Sequence, residues 1–463
     1  MTSALARIAA IVFFAALYLA DLSGMGMVGP DEPRYADVGR AMAQSGDWIT
    51  PHLWGQPWFE KPALLYWMTG AGFKLGLGPD LAPRLPVALL SAGFLAFFWW
   101  RLRIEWGDRT ASCATAMLAT SAGWLTYSHV AVTDLPLGAF FSAAVLLALP
   151  WIARGEARTL PFAAACLGLA TLAKGLVPIV LFLPVFGLGW RRLRDWIRPG
   201  PLVAFSVCAL PWYVLCTMRN GGEFLRVFFV EQQFGRFSTA ALQHVQPWWF
   251  YVPVLLGLLF PWCPLIAFPS IGFSKEALRD PRHRVLASVV VFGFVFFSAA
   301  VNKLPGYLIP LLPAAFVLVA AGLGRAKHAG LALMFPVILL GLLPAISGAA
   351  PRILAFHGLR AGNIPLAGAA YLLLGAAVIA FLIVRYAPGR AFLGAALLSA
   401  AGFLWFQSAT FPQFDAIASA RPRWVRNHPE CAPDTSRDLQ YGLSYYAGRL
   451  LPACAVPAGS VVH

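Results

Sequence analysis

The chain has 463 residues, of which 59% are hydrophobic and only 12% are charged. A water-soluble domain cannot bury so large an apolar fraction, so the composition excludes an ordinary soluble enzyme and indicates an integral membrane protein. The net charge of +15 does not indicate a nucleic-acid partner, because much of the excess lies in short loops between apolar runs, where basic residues set membrane topology and meet anionic lipids.

Apolar runs long enough to cross a bilayer follow one another along most of the chain. Hydropathy predicts an all-α integral membrane protein with about thirteen transmembrane helices. The spans are predicted near residues 8–21, 81–101, 110–127, 135–153, 160–173, 176–190, 201–218, 249–271, 285–301, 307–323, 331–348, 366–384 and 391–410.

Basic residues cluster in alternate connections between these spans, and the positive-inside rule places those connections in the cytoplasm. The remaining connections then face outward, among them a long first loop at 22–80 and a second long loop at 219–248. The membrane domain is predicted to cover residues 1–410. Residues 411–463, named here the C-terminal appendage, are predicted to form a short cap on the outward face.

The first outward loop contains most of the polar residues that point to a function. Apolar Tyr35, Val38 and Met42 fall on one face of a helix over residues 32–45, while charged and amide residues take another face, which predicts an amphipathic helix in the membrane interface. A second apolar stretch, 62–75, follows an aromatic segment and is predicted to lie in the same plane.

Two cysteines, Cys431 and Cys454, lie in the polar appendage, whereas the other five lie in or beside predicted spans. An oxidising outward compartment permits a disulfide between this pair. The sequence leaves open whether the bond forms.

Several short motifs occur in a characteristic order along the membrane region. The chain resembles the membrane glycosyltransferases of the type C fold, and within them most closely the lipid A aminoarabinose transferases and the related protein O-mannosyltransferases. The motifs that carry this resemblance are Asp31-Glu32-x-Arg34-Tyr35, Gly46-Asp47-Trp48 followed by Pro51-His52, Phe59-Glu60-Lys61-Pro62, Thr133-Asp134, Lys174-Gly175, His244 through Trp248-Trp249, and Lys303-Leu304-Pro305-Gly306-Tyr307-Leu308-x-Pro310.

The resemblance implies transfer of a monosaccharide from a polyprenyl-phosphate donor such as an undecaprenyl phosphate, with inversion at the anomeric carbon, at the periplasmic face of a bacterial inner membrane. The acceptor it implies is lipid A. The appendage is shorter than the usual outward C-terminal domain of the family, so a protein hydroxyl, another envelope glycan and another membrane lipid remain alternatives.

A secondary transporter or flippase for a lipid-linked sugar is the second class of function compatible with many spans and outward charges. Transporters usually show two related halves and place charged residues at mid-membrane. Here the polar residues gather at one face, and the large first loop has no counterpart in the second half, which favours the enzyme.

Carboxylates are needed near the nucleophile in sugar transfer, because the acceptor hydroxyl must lose a proton. Asp31 is the candidate base or orienting carboxylate, with Glu32 supporting it and Asp134 contributed by another loop. The structural alternatives are that Asp31 caps a helix that begins with Glu-Pro, and that Glu32 merely complements the helix dipole.

Cations are needed around a departing phosphate. Arg34, Lys61 and Lys303 are the candidate phosphate-binding cations, and Tyr35 and Tyr307 are candidate hydrogen-bond donors to the donor lipid. The alternatives are snorkelling of the lysines to lipid headgroups and an ion pair of Lys61 with its neighbour. Lys174 could equally be a loop residue that snorkels to lipid headgroups, and it is not a candidate phosphate-binding residue.

A divalent cation, zinc or magnesium, is implied by the resemblance, with Glu60 and His244 as its ligands. Imidazole with carboxylate suits zinc. Two ligands make an open site, and a lone histidine before Gln-Pro-Trp-Trp is more often a loop residue that forms hydrogen bonds, or a contact to a phosphate.

Overall fold

A computed structural model describes residues 12–13, 15–235, 245–267, 277–324, 329–355, 366–386, 390–433 and 436–454. His244 lies outside these residues. Within them the chain is almost entirely helical, as expected, and its one sheet is an antiparallel hairpin of strands β1 (His52–Leu53) and β2 (Gln56–Pro57).

The helices are numbered here in chain order. They are α1 (Asp31–Ser45), α2 (Leu64–Lys74), α3 (Leu81–Ala119), α4 (Ala122–Ser128), α5 (Asp134–Arg154), α6 (Leu160–Lys174), α7 (Val177–Leu181), α8 (Leu183–Leu188), α9 (Pro199–Leu225), α10 (Tyr251–Leu259), α11 (Pro281–Ala299), α12 (Leu312–Leu323), α13 (Ala329–Leu340), α14 (Leu343–Ala355), α15 (Leu366–Tyr386), α16 (Ala391–Ala418), α17 (Arg421–Asn427) and α18 (Arg437–Ala447). Short 3₁₀ segments occupy Ala157–Thr159, Trp190–Asp195, Cys263–Ala267, Ala277–Arg279 and Pro305–Leu311, and a π-helix occupies Arg226–Gly235.

Six helices in the described part of the chain are long and apolar enough to cross a bilayer, and a seventh span results if α13 and α14, which meet at 50°, count as one. The chain is therefore a multi-pass helical membrane protein, while the number thirteen stays a prediction. The six are Leu81–Ala119, Asp134–Arg154, Pro199–Gln232, Pro281–Ala299, Pro305–Leu323 and Ala391–Ala418.

Some predicted spans differ in detail from the helices that form. The predicted span 176–190 consists of two short helices, α7 and α8. Helix α3 runs through the predicted connection after residue 101, but Gly107 interrupts it with φ +82°. That left-handed conformation is accessible to glycine because it has no Cβ atom, and it lets the chain change direction between two apolar stretches.

Helix α5 lies at the centre of the bundle, where it packs against α3, α6, α11 and the segment Pro305–Leu311. It is apolar on all sides, and nearly all its residues are buried, because neighbours surround it. The first residue of this central helix is Asp134. The packing therefore places that carboxylate in the middle of one end of the bundle.

The first outward loop folds against itself and against the appendage. Helices α1 and α2 approach closely at Gly39, where an added Cβ atom would lie 2.5 Å from the Thr69 side chain. Helix α1 forms where predicted, but its polar face is not left at a membrane surface, since Arg34 and Asp37 are buried. The hairpin and α18 cover that face, and the buried charges are paired: Arg40 binds Asp37.

The C-terminal appendage is a small folded unit. Its disulfide, Cys431–Cys454, is present with Cα atoms 4.9 Å apart, so the bond that the sequence leaves open does form. A parallel backbone bridge joins the adjacent Ala432 and Ala453. Helix α16 continues to Ala418, beyond the predicted boundary at residue 410.

Candidate active site

Asp31 is the first residue of α1, directly after a turn in which Gly29 has φ +68°. Pro30 is the N-cap, and no side-chain hydrogen bond caps the helix, so the alternative of Asp31 as a helix cap is wrong. Its carboxylate instead pairs through Oδ1 with Arg34, one turn later. The side chain is 35% exposed, and its Oδ2 has no partner among the described residues, so this oxygen is available to a substrate.

Arg34 joins two carboxylates. Its Nη1 donates to Glu60 (2.9 Å), its Nη2 donates to Asp31, and its Nε donates to the carbonyl of Pro30 (2.9 Å). Burial alone would lower the pKa of Arg34, but the negative charges of Glu60 and Asp31 outweigh it and raise that pKa. The guanidinium is therefore a fixed cation whose orientation is set from both sides.

Glu60 gathers three of the predicted site residues. Its Oε2 accepts from Arg34, while Oε1 accepts from the Nζ of Lys61 (3.1 Å) and the hydroxyl of Tyr35 (3.4 Å). The side chains of Glu60 and Lys61 are only 5% and 7% exposed. Lys61 therefore does not snorkel to headgroups, and the ion pair with its neighbour is the arrangement that forms.

The same contacts affect how readily Glu60 could bind a divalent cation. Both of its oxygens face positively charged groups, which oppose a second cation at that position. No three histidine, cysteine or acidic residues lie close enough together in the described ranges to hold a metal. Because His244 lies outside the described residues, a metal site formed by Glu60 and His244 stays a prediction.

A separate ion pair lies at the start of the central helix. Asp134 accepts a hydrogen bond from Nζ of Lys174 (2.5 Å), and the two side chains are 14% and 11% exposed. The same ammonium lies 4.7 Å from the centre of the Tyr307 ring. Gly306 packs against this pair so closely that an added Cβ atom would lie 2.6 Å from Oδ1 of Asp134.

The Asp31–Arg34 pair and the Asp134–Lys174 pair lie at the same end of the bundle. The phenol of Tyr127 interacts electrostatically with both Asp134 and Asp31. Glu32 connects α1 to the chain that leads into α5. Its carboxylate accepts a hydrogen bond from the backbone N–H of Ala131 (3.0 Å), three residues before α5 begins.

Glu32 itself is not exposed to the space near Asp31. Its side chain is completely buried and forms two hydrogen bonds with Arg84, at 2.7 and 2.8 Å. It also accepts from the N–H of Val28 (3.0 Å). The structure therefore places Glu32 behind the site, where it holds the start of α1.

Lys303 lies in the connection between α11 and the segment Pro305–Leu311. Its ammonium donates to the carbonyls of Gln246 (3.0 Å) and Ala300 (2.5 Å) and meets no carboxylate in the part of the chain that the structure describes. Burial lowers the pKa of Lys303. The preceding residue, Asn302, forms a backbone bridge with Val245, so the long second loop meets the site here.

The charges of the described residues at this end of the bundle do not cancel. Asp31 and Glu60 balance Arg34 and Lys61, and Asp134 balances Lys174, so the charge of Lys303 is left over. A surplus cation held only by carbonyl dipoles suits an anionic ligand such as a phosphate.

Sequence reasoning found most of these residues but not all of them. It missed Lys174, Tyr127 and Tyr441, the last of which places its ring 5.3 Å from the Arg34 guanidinium. The signal for Lys174 was present in the Lys-Gly motif. A lysine at the end of an apolar run usually snorkels to the lipid headgroups, so the motif alone does not indicate an ion pair.

Comparison with known proteins supports the resemblance drawn from the motifs. Residues 3–220 match the family of dolichyl-phosphate-mannose-protein mannosyltransferases. The undecaprenyl phosphate-α-4-amino-4-deoxy-L-arabinose arabinosyl transferase of Serratia proteamaculans is 30% identical over 67% of this chain and 58% of its own length. That of Pseudomonas paraeruginosa is 32% identical over 69% of this chain and 60% of its own length. The chain thus spans about three fifths of these relatives.

Solved structures share the fold. ArnT from Cupriavidus metallidurans bound to undecaprenyl phosphate has a TM-score of 0.79 at 24% identity, over 97% of this chain and 86% of that one. Its apo form has a TM-score of 0.75 at 25% identity, over 98% and 87%. The Archaeoglobus fulgidus oligosaccharyltransferase has a TM-score of 0.50 at 14% identity, over 98% and 64%. The resemblance inferred from the motifs is confirmed.

Proposed function

We propose that this chain, which resembles the aminoarabinose transferases in sequence and has their fold, is an inverting glycosyltransferase that uses an undecaprenyl phosphate-linked monosaccharide. The acceptor is lipid A or another envelope lipid, and transfer takes place at the periplasmic face of the inner membrane. One observation carries the proposal: two ion-paired carboxylates, Asp31 and Asp134, lie at one end of the bundle with the surplus cation of Lys303.

Asp31 is proposed as the base. Its unpartnered Oδ2 accepts the proton of the acceptor oxygen while Arg34 fixes its other oxygen. The acceptor oxygen forms a bond to the anomeric carbon as the bond from that carbon to the phosphate oxygen breaks, and the electron pair stays with the polyprenyl phosphate. Attack from the side opposite the leaving phosphate inverts the anomeric centre.

Lys303 is proposed as the cation that receives the departing phosphate. Its ammonium is already desolvated by burial and is not neutralised by a described carboxylate, so little reorganisation is needed when negative charge develops beside it. Tyr307 lies four residues after Lys303, in the segment Pro305–Leu311, and is a candidate hydrogen-bond donor to the same phosphate.

Arg34, Lys61 and Tyr35 are proposed to act on the donor mainly through Glu60 and Asp31, since their described hydrogen bonds go to those carboxylates and to one carbonyl. Glu32 is proposed to act at one remove, by holding the first turn of α1 through Arg84. Asp134, kept in place by Lys174, is proposed to orient a sugar hydroxyl.

The finer membrane topology belongs to the same proposal. About thirteen spans, with the first loop and the appendage in the periplasm, follow from the charge of the connections. A cation bound by Glu60 and His244 stays a prediction, which chelation of the purified protein tests.

A different acceptor and a lipid-linked sugar flippase are the competing functions. A protein serine, another lipid or an envelope glycan would use the same carboxylates, so only the modified product distinguishes these acceptors. A flippase would move the donor without forming a glycosidic bond. The two ion-paired carboxylates favour chemistry over transport, because a flippase has no need of a base at one face.

The test is mass spectrometry of lipid A, other envelope lipids and glycans from cells with and without the protein. We expect one sugar-sized addition to be lost on deletion. Wild-type protein and the control Asp108→Asn, which alters an exposed carboxylate paired with Arg103, should restore it. Asp31→Asn should not, since loss of a general base lowers rates by about 10²- to 10⁴-fold.

The outcomes separate the possible errors. Full restoration by Asp31→Asn would show that the base is assigned wrongly. An unchanged set of glycans, together with altered distribution of a lipid-linked sugar between membrane leaflets, would support the flippase instead.

A further inference from the structure

The C-terminal appendage reaches into the candidate active site through one side chain. The ring of Tyr441, in α18, lies 5.3 Å from the guanidinium carbon of Arg34. The same ring packs against Trp54 of the hairpin at 5.5 Å. A residue more than four hundred positions away in the chain therefore touches the arginine that orients Asp31.

Aromatic rings surround the Arg34 guanidinium on several sides. Tyr35 and Trp58 lie 5.9 and 5.6 Å from it, and Tyr441 is the nearest of the three. A guanidinium stacked on rings keeps its N–H groups in the plane, where they point to carboxylates. The rings thus restrict the guanidinium to the orientation in which it binds both Asp31 and Glu60.

The position of Tyr441 is fixed by contacts further along its own helix. Tyr445 donates to the carbonyl of Pro79 (2.6 Å), and Arg40 of α1 donates to the carbonyl of Tyr445 (2.8 Å). Tyr446 donates to Asp80 (2.6 Å) and accepts from the N–H of Met27 (2.9 Å). Helix α18 is therefore attached to both ends of the first outward loop.

We propose that Tyr441 is a positioning residue for the transfer reaction, which makes the appendage part of the active site rather than an accessory. It acts through Arg34: the ring holds the guanidinium, and the guanidinium holds the Asp31 carboxylate towards the acceptor. This inference rests on the proposed function, since it assumes that Asp31 is the base.

The experiment measures transfer by the purified full-length protein from a polyprenyl phosphate-linked sugar, with kcat and KM determined separately. Tyr441→Leu and Tyr441→Ala remove the ring, and we expect kcat to fall about 3- to 30-fold, as for loss of a cation–π contact. Tyr441→Phe keeps the ring and should retain kcat. Gln440→Ala, on the same helix, is the matched control and should leave both constants unchanged.

A merely structural role for Tyr441 predicts a different pattern. In that case Tyr441→Leu and Tyr441→Ala would lower the melting temperature, and their effect on kcat would add to the effect of any other substitution. Action through the charge of Arg34 predicts instead that Tyr441→Ala has almost no further effect on kcat in an Arg34→Gln background, where the cation is absent.

The inference is overturned if Tyr441→Leu transfers as fast as the wild type, if Tyr441→Phe is as slow as Tyr441→Leu, or if the two substitutions are additive. These results leave the proposed function intact, because the wild type still transfers sugar. If the wild type transfers none of the envelope sugars, the proposed function fails and the inference fails with it.

Discussion

Glu32 and Arg84 form a completely buried ion pair that joins the first turn of α1 to α3. Arg84 also donates to the carbonyls of Leu22, Met25 and Gly26, so it gathers the chain that leads into the site. The carboxylate next to the proposed base is thus committed to structure, and the position of Asp31 depends on it.

Glu32→Gln is expected to destabilise the protein strongly. Removing one partner leaves the Arg84 charge buried and uncompensated, which costs about 3–5 kcal/mol. Thermal unfolding in detergent measures this, with the exposed Glu430→Gln as control. Equal melting temperatures for the two variants would show that the pair does not hold α1.

The alkaline limit of activity is expected to reflect Lys303. Because burial lowers the pKa of this lysine, its positive charge is lost at a lower pH than that of an ordinary lysine, and kcat/KM for the donor should decline accordingly as the pH rises. Lys303→Arg should move the decline to higher pH, since arginine stays protonated. Lys303→Met should lower kcat/KM about 10- to 100-fold at neutral pH.

Lys74→Arg, at an exposed helix end, is the control for this profile and should leave it unchanged. If Lys303→Arg leaves the alkaline limb where it is, another group sets that limit.

Asp134 and Lys174 are expected to act as one unit. Asp134→Asn and Lys174→Met should each reduce transfer, and the double variant should be little worse than either, with a coupling of about 1–3 kcal/mol. Additive effects on kcat/KM would mean that the two groups contribute separately.

Gly306→Ala is expected to reduce transfer without unfolding the protein. The added methyl would lie 2.6 Å from the Asp134 carboxylate and 2.8 Å from the Tyr127 ring, so the carboxylate must shift. A displacement of this size costs about 10²-fold in rate. Gly348→Ala, where nothing lies within 4 Å, should have no such effect on kcat.

Removal of the disulfide is expected to loosen α18. Cys431 and Cys454 are 23 residues apart, and closing a loop of this size contributes about 3 kcal/mol. The double serine variant should show faster hydrogen exchange over residues 437–447 in the intact protein, whereas Cys113→Ser should not. Unchanged exchange would mean that the contacts of Tyr445 and Tyr446 suffice.

In the first outward loop, local sequence predicts the secondary structure but not the roles of the side chains. The helix at 31–45 follows from its periodicity and from the proline near its start, and both are local properties. The roles of Asp31 and Glu32 are not local. Side chains at adjacent helix positions point about 100° apart, so Asp31 and Glu32 have different surroundings, and only packing against α3 decides that Glu32 is the buried one.

The ionic partners show the same division. Lys174 precedes a glycine at the end of an apolar run, a position that indicates snorkelling, yet its partner Asp134 lies 40 residues earlier and meets it because α5 and α6 pack antiparallel. No sequence feature near Tyr441 indicates that its ring contacts Arg34.

The sequence by itself determined that this protein is a helical membrane protein, which motifs it shares with sugar transferases of membranes, and which two cysteines lie outside the apolar runs. Composition, periodicity and short motifs are sufficient for these conclusions because each depends on residues close together in the chain. Only the tertiary structure decided which carboxylate is exposed and which of the described cations are paired with carboxylates. Those properties depend on burial and on distances between distant segments, and they exist only once the helices have packed.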